Sequence, residues 1–409
     1  MADGLLNKAS IILTPTGYKA GTLYNVAPID EPYEDFDFAR TSTATRINSS
    51  GLVSNVATGV PRISYDSNGD NGHILLEPTS TNLVPYSEDF SEWSSTEVST
   101  DKNYTSPDGT LNAVKITDNS VDSTHRVRLL TTTASSGDFT YSVFLKKGTM
   151  TDAVLNVYSN GTKAVATIDL ENGTITASGG GVNAKIEDYG NDWYRCSIGG
   201  TLASTATTVY LYLSDSKNAY VGNGDFLYMY GAQLEALSYA TSYIPTLTGS
   251  TETRATETAT GAGSADLINS TEGVLYAEIN ALSYPTDLNS WLTITDGTAS
   301  NSVGIVFETT PLIVGRVEVG GVNQAYLANN VDYSDFVKVA VKYKANDFAL
   351  WINGVEVATD TSGNTFSANT LNSLQFSYGG GTNNWKGKVK ALAVFNEALS
   401  DSELTQLTT

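Results

Sequence analysis

Glu88, Asp89 and Glu92 form the tightest acidic cluster beside a strand start, and Glu278, Glu308, Glu318 and Glu356 fall inside strand-like runs. Hydrolysis of a glycosidic bond needs two carboxyl groups, about 5 Å apart for retention and farther apart for inversion. The four strand glutamates each stand alone, and a solvent-facing strand position accounts for them. The cluster reads as capping or solvation of the chain entering the strand. His73, in a turn, and His125, beside Arg126, lack a Cys, His or Asp neighbour at zinc-ligand or triad spacing, and both read as surface positions. Asp66, Asn68, Asp70 and Glu77 match positions 1, 3, 5 and 12 of a calcium loop. Position 6, however, is Asn71 instead of Gly, and neither flank is helical, so the stretch reads as a hairpin turn. Gly179 to Gly181 and Gly379 to Gly381 lack the following Lys and Ser or Thr of a phosphate loop and read as turns. The sequence therefore points to no catalytic residue, no metal ligand and no cofactor site.

Binding chemistry has a candidate in the loop YGGGTNNWK. Tyr378 and Trp385 bracket Asn383 and Asn384, and sugars are held by aromatic faces with amide hydrogen bonds beside them. The competing reading, favoured by how often Trp is largely buried, is that Trp385 plugs the core beneath the loop. Trp193 and Trp351 lie within strand patterns and read as core or half-buried.

The elements that would position these residues are short strands. Alternating runs occur at 113–116, 141–145, 154–158, 164–170, 193–198 and 209–213, and again at 273–280, 291–295, 303–307, 312–319, 337–343, 348–352, 371–376 and 389–395. Asn and Gly turns separate them, the clearest being Asn353-Gly354 between ALWI and VEVA. One helix stands out, at the end: Ser400 as N-cap, Glu403 three residues on as its capping-box partner, and Leu404 and Leu407 as an apolar stripe. The pattern predicts an all-β chain with two antiparallel β-sandwich, jelly-roll domains behind an extended N-terminal segment.

The expected division is a segment 1–61, a first sandwich 62–248, a linker 249–262 and a second sandwich 263–409. The aromatic run 226–230 reads as a strand that Gly231 ends, and the Pro245-containing stretch after it as an exposed linker. The first 61 residues have few apolar residues at strand or helix period and an acidic patch at 31–37, so they make no core of their own. Tyr18, Leu23, Tyr24, Tyr33, Phe36 and Phe38 are nonetheless enough anchors to order the segment as a strap against a partner.

Charge and composition narrow the function. A formal net charge of -21 repels a phosphate backbone, which excludes nucleic acid and anionic membranes as expected partners. Cys196 is the single cysteine, so stability comes from packing and not from an intrachain disulfide. The N-terminus lacks the basic and apolar regions of a signal peptide, and no window is long and apolar enough for a membrane span.

Several blocks resemble a recurring pattern in bacteriophage virion appendage proteins. They are FDFAR at 36–40, ATRIN at 44–48, LLEP at 75–78, TNL at 81–83 and YSEDF at 86–90, followed by GAQLE at 231–235, YATSYIPT at 239–246 and TRA at 253–255. The resemblance implies a carbohydrate-binding-module-like sandwich between the blocks and a virion-attachment segment before it. The second half is similar to laminin-G or concanavalin-like modules through VAVKY at 339–343, LWING at 350–354 and the run from Gly387 to Phe395. Some such modules are glycoside hydrolases, but their Glu-x-Asp-x-x-Glu strand motif is absent. What the resemblance implies is a non-enzymatic head or tail fibre or decoration protein, located on the virion and commonly a homotrimer. It would bind other virion proteins through its N-terminal segment and host surface glycans outward, with Tyr378, Asn383, Asn384 and Trp385 as the glycan-site expectation. The alternatives are a polysaccharide depolymerase and a free lectin-like module.

Overall fold

Alternation decides the first sandwich. Along Gly137–Lys147, Phe139, Tyr141, Val143 and Leu145 enter one core, while Phe144 packs on the opposite face with Tyr230 and Tyr243. The computed structural model describes residues 5–15, 17–27, 35–132, 136–180, 182–214, 217–282, 289–308, 311–333 and 335–409. Among them every ladder between strands is antiparallel, and the chain is all-β apart from short helical turns and the terminal helix Asp401–Thr408.

One sheet of the first sandwich runs Ser94–Thr96, Arg126–Thr132, Ala206–Tyr212, Asp152–Ser159, Thr162–Asp169 and Thr174–Ser178 in spatial order. The facing sheet runs Val98–Tyr104, Ala113–Asp118, Phe226–Glu235, Gly137–Lys147, Trp193–Leu202 and Val182–Asp188. Gly231 does not end its strand. It sits at a bulge where two residues of Phe226–Glu235 face one of Gly137–Lys147, with φ at 61° and a Cβ position only 3.0 Å from the Phe144 ring. A glycine supplies the left-handed backbone and the clearance together.

The second sandwich packs a five-stranded sheet from Ser290–Thr295 through Val322–Asn330, closed by Ser373–Gln375, against an eight-stranded one. The latter is completed by the N-terminal segment. Ala9–Leu13 pairs with Gly387–Phe395, and His73–Leu76 pairs with the same strand farther along. Ile11, Leu13, Leu23, Phe36 and Phe38 are buried in the second sandwich's core. The segment thus orders as a strap on this chain's own C-terminal sandwich, whose apolar strand would otherwise present an open edge. Tyr33 lies outside the described residues, as do positions 31–34 of the acidic patch.

Residues 62–76, expected to open the first sandwich, supply two strands to the second one's sheet, Ile63–Ser64 and His73–Leu76. Nor is the stretch 249–262 a bare linker. Glu252–Arg254 pairs with Ser80–Asn82, and Thr258–Thr260 pairs with Phe36–Ala39. At the hairpin, Asn353 and Gly354 both take positive φ, 47° and 83°, as a tight primed turn requires. The Glu403 carboxylate accepts from the Ser400 N–H at 2.9 Å and from its hydroxyl at 2.6 Å, and Lys8 pairs with the same carboxylate at 2.7 Å.

Candidate functional site

The two sandwiches meet over a buried ion cluster. Arg40, Arg62 and Arg254 face Glu77, Glu235 and Glu257, and none of the six is more than 2% exposed. Arg40 pairs with Glu257 at 2.7 Å, Arg62 pairs with Glu77 at 2.8 Å and also with Glu257, and Arg254 pairs with Glu77 at 2.8 Å. Ser242 donates its N–H and hydroxyl to Glu77 at 2.8 and 2.6 Å, and Glu235 accepts from Ser80 and Thr241. Burial opposes charge on Glu77, but Arg254 and Arg62 outweigh it and pull the carboxyl down to about 2. For Arg62, burial is likewise overcome by Glu257 and Glu77, which hold the guanidinium above its ordinary range. Arg40, Glu77, Glu235 and Arg254 come from the blocks at 36–48, 75–78, 231–246 and 253–255, while Arg62 and Glu257 lie outside them. The seam thus gathers residues of four blocks that are far apart in sequence.

Beside the seam lies a cleft of about 630 Å³ between the sandwiches. Its floor is the outer face of the first sandwich's sheet. Lys185 stands opposite Ser197 and Glu187 opposite Arg195, and Arg195 in turn lies opposite Phe144, a cross-strand grid set by antiparallel register. The facing wall carries Asn280, Tyr333 and Lys388 from the second sandwich and Tyr65 and His73 from the N-terminal block. Residues 238–243 form the rim nearest the ion cluster, with Tyr239 half-buried there.

The wall is held in place by its own contacts. Arg195 donates to the Ser142 hydroxyl at 3.0 Å and lies 5.4 Å over the Phe144 ring, which meets Tyr189 edge-on at 4.9 Å. Lys185 pairs with Glu187 at 2.7 Å. Burial opposes the Glu187 charge, but Lys185 more than offsets it and the carboxyl sits below its usual range. Burial lowers the Lys388 ammonium despite Glu187 nearby. His73 is 6% exposed and burial, helped by Lys388, brings it down to about 4, so it is neutral at pH 7. Both carboxylates lining the cleft, Glu77 and Glu187, are already ion-paired. The lining offers tyrosine rings, hydroxyls, amides and cations, which suits a polar ligand with flat faces.

The sequence expectations fare unevenly against this geometry. Trp385 is 1% exposed, sits in the second sandwich's core 4.9 Å from the Phe307 ring, and has no face to offer a sugar. Tyr378 lies on Trp291 at 4.1 Å and donates to Glu318 at 2.7 Å, so its ring covers the sheet; Asn383 and Asn384 are half-buried in the same loop. That loop is remote in sequence from every residue lining the cleft save Lys388. Neither histidine is at the surface: His73 is 6% exposed, and His125 is 1% exposed with its ring tilted against Tyr220 at 4.4 Å. Asp89 does cap, accepting from the Ser91 N–H at 3.3 Å, but Glu88 is buried and accepts from the Tyr230 and Tyr243 hydroxyls, both at 3.1 Å. Of the strand glutamates, Glu356 is exposed whereas Glu318 is buried against Arg316. Asp66 accepts from the Asn68 and Asp70 N–H groups and the Asn71 amide, which makes the turn, while Glu77 belongs to the seam. Trp193 and Trp351 are buried, at 2% and 5%. Among the described residues no group of three or more His, Cys, Asp or Glu side chains is placed to hold a metal, and no helix is long and apolar enough to cross a membrane.

Residues 279–405 match the Concanavalin A-like lectin/glucanases superfamily. They comprise most of the second sandwich. Among solved structures, the chain is similar to the Ruminococcus gnavus IT-sialidase CBM40 bound to alpha2,3 sialyllactose, at 20% identity over 36% of this chain and 88% of that one, with a TM-score of 0.32. Mouse laminin alpha1 chain domains LG4-5 match at 11% identity over 67% and 88%, TM-score 0.24. Trypanosoma rangeli sialidase in complex with the inhibitor DANA matches at 10% identity over 94% and 74%, TM-score 0.30. No curated protein matches the chain.

Proposed function

We propose that this chain is a non-enzymatic structural protein of a bacteriophage particle, a head or tail fibre or decoration protein, that holds host-surface glycans in the cleft between its sandwiches. The cleft carries the reading: about 630 Å³ of space is lined by tyrosines, amides and hydroxyls, and its two carboxylates are already engaged in ion pairs. A pocket of that size takes a short oligosaccharide, with rings against tyrosine faces and hydroxyls against the polar groups between them. Glycosidic cleavage would need a carboxylic acid free to give up a proton, and Glu77 is held down to about 2 by two arginines. The lectin superfamily match supports the carbohydrate part of this reading, and the blocks shared with phage appendage proteins support the particle part. On this reading the chain assembles as a homotrimer bound to other virion proteins.

The experiment is a pull-down of the full chain on immobilised surface polysaccharides of candidate hosts, with released sugar assayed alongside. The chain is expected to be retained without generating new reducing ends, and Tyr239→Ala is expected to release it while melting at nearly the wild-type temperature. Turnover, or retention indifferent to Tyr239→Ala and to every other cleft substitution, would count against the reading.

A further inference from the structure

The cleft is basic in a chain that is otherwise strongly acidic, with a formal net charge of -21. Four of its lining side chains are Arg46, Lys185, Arg195 and Lys388. Only Lys185 has a carboxylate within ion-pair distance among the described residues, Glu187 at 2.7 Å. Arg46 donates instead to the Tyr18 hydroxyl at 3.0 Å and the Ile63 carbonyl at 3.2 Å, and Arg195 to the Ser142 hydroxyl. The Nε of each of these two arginines is buried and meets no acceptor among the described residues. Arg195 as a whole is 3% exposed and has no carboxylate within ion-pair distance among the described residues, although Tyr189, Glu235 and Glu187 around it hold its guanidinium above the ordinary range against burial. Lys388 is half-buried and makes no ion pair among the described residues.

A cation taken partly out of water with no carboxylate in direct contact, as Lys388 is, gains when a counter-charge arrives. An oxyanion in the cleft would supply one, and guanidinium groups match the geometry of carboxylate and phosphate oxygens. We infer that the cleft selects glycans that carry an oxyanion on the sugar, a carboxylate or a phosphodiester, which Lys388, Arg195 and Arg46 would receive while the tyrosines hold the ring. This inference rests on the cleft being the glycan site. Glu187 does not repel such a ligand, because Lys185 neutralises it across 2.7 Å.

The test is a titration of the full chain with oligosaccharides of hyaluronan, polygalacturonate and colominic acid, each beside its carboxyl-reduced form, and with a glycerol-phosphate teichoic oligomer. Reduction removes the charge and leaves the linkage intact. Whichever acidic glycan binds is expected to lose roughly tenfold in affinity on reduction and to weaken as salt rises. The carboxylate and teichoic arms tell which oxyanion is preferred. Lys388→Gln is expected to weaken the acidic form several fold more than the reduced form, and Lys185→Gln, at an exposed position, to weaken the acidic form as Glu187 is unmasked. Equal binding of acidic and reduced forms, or a preference untouched by both substitutions, overturns the inference and leaves the cleft a glycan site. Binding by no glycan of either kind overturns the glycan reading itself, and the inference with it.

Discussion

His73 illustrates how a single side chain is set by a contact that its sequence neighbours do not reveal. It lies in a strand of the second sandwich's sheet, donates its Nδ1–H to the Asn71 carbonyl at 3.0 Å, and is brought down to about 4 by burial beside Lys388. Its unfolded value is about 6.5. The folded state therefore binds fewer protons than the unfolded one between these values, and stability falls as pH drops through that window. Between pH 7 and pH 4.5 this one group should remove about 2 kcal/mol of stability. His73→Gln should lose that much less over the same interval in urea unfolding; equal losses in the two proteins would place the acid sensitivity elsewhere. Glu77, pulled down to about 2, acts in a lower window: its contribution is complete above the ordinary glutamate value and is lost only as pH falls from there toward 2. Trp385 is the residue-scale counterpart on the other side. Its neighbours Asn383, Asn384 and three glycines look like a binding loop, but the ring turns inward to Phe307, a choice made by the core and not by the loop.

At the scale of elements, what was legible in the sequence is what depends on near neighbours. Alternation located the central strands of both sandwiches, Asn353-Gly354 fixed a hairpin, and Ser400 with Glu403 fixed a helix start. Edge strands escaped, because Thr174–Ser178 and Val322–Asn330 bury little on either face and so carry few apolar residues. Gly231 misled because a glycine that closes a strand and a glycine that makes a bulge within one look alike until the Phe144 ring is beside it. The N-terminal strap misled in a different way: its anchors were visible, but what they pack against was not, since Phe36 meets Phe376 and Phe36–Ala39 pairs with Thr258–Thr260, both far downstream. Removing residues 1–15 deletes the strand Ala9–Leu13 and with it Ile11 and Leu13, both fully buried. At about 1.5 to 3 kcal/mol for each buried aliphatic chain, the truncated protein should lose roughly 3 to 6 kcal/mol. It should also aggregate more readily through the exposed edge of Gly387–Phe395. An unfolding midpoint identical to that of the full chain would show that the strap contributes nothing to the second sandwich.

At the scale of the whole molecule, the seam joins stretches that are far apart in sequence. Glu257 reaches Arg62 across 195 residues and the Glu77 N–H across 180, contacts that no local pattern encodes. A buried ionic cluster of this kind is strongly unfavourable to break, since removing one partner strands the others without water. It therefore keeps the two sandwiches in one arrangement, and the cleft beside it keeps its shape. The sequence directed attention to the exposed loop of one module; the cleft needs both modules and the N-terminal block at once, which is why no single stretch announced it. The claim that this cleft is where the protein meets its ligand is tested most directly by a crystal structure of the full chain with a host-surface oligosaccharide that it retains. The account predicts sugar density in the cleft, with a ring against Tyr239 or Tyr65 and polar groups reaching Lys388 and Arg195. Sugar bound elsewhere, on the Tyr378 loop for instance, with the cleft holding only solvent, would contradict it.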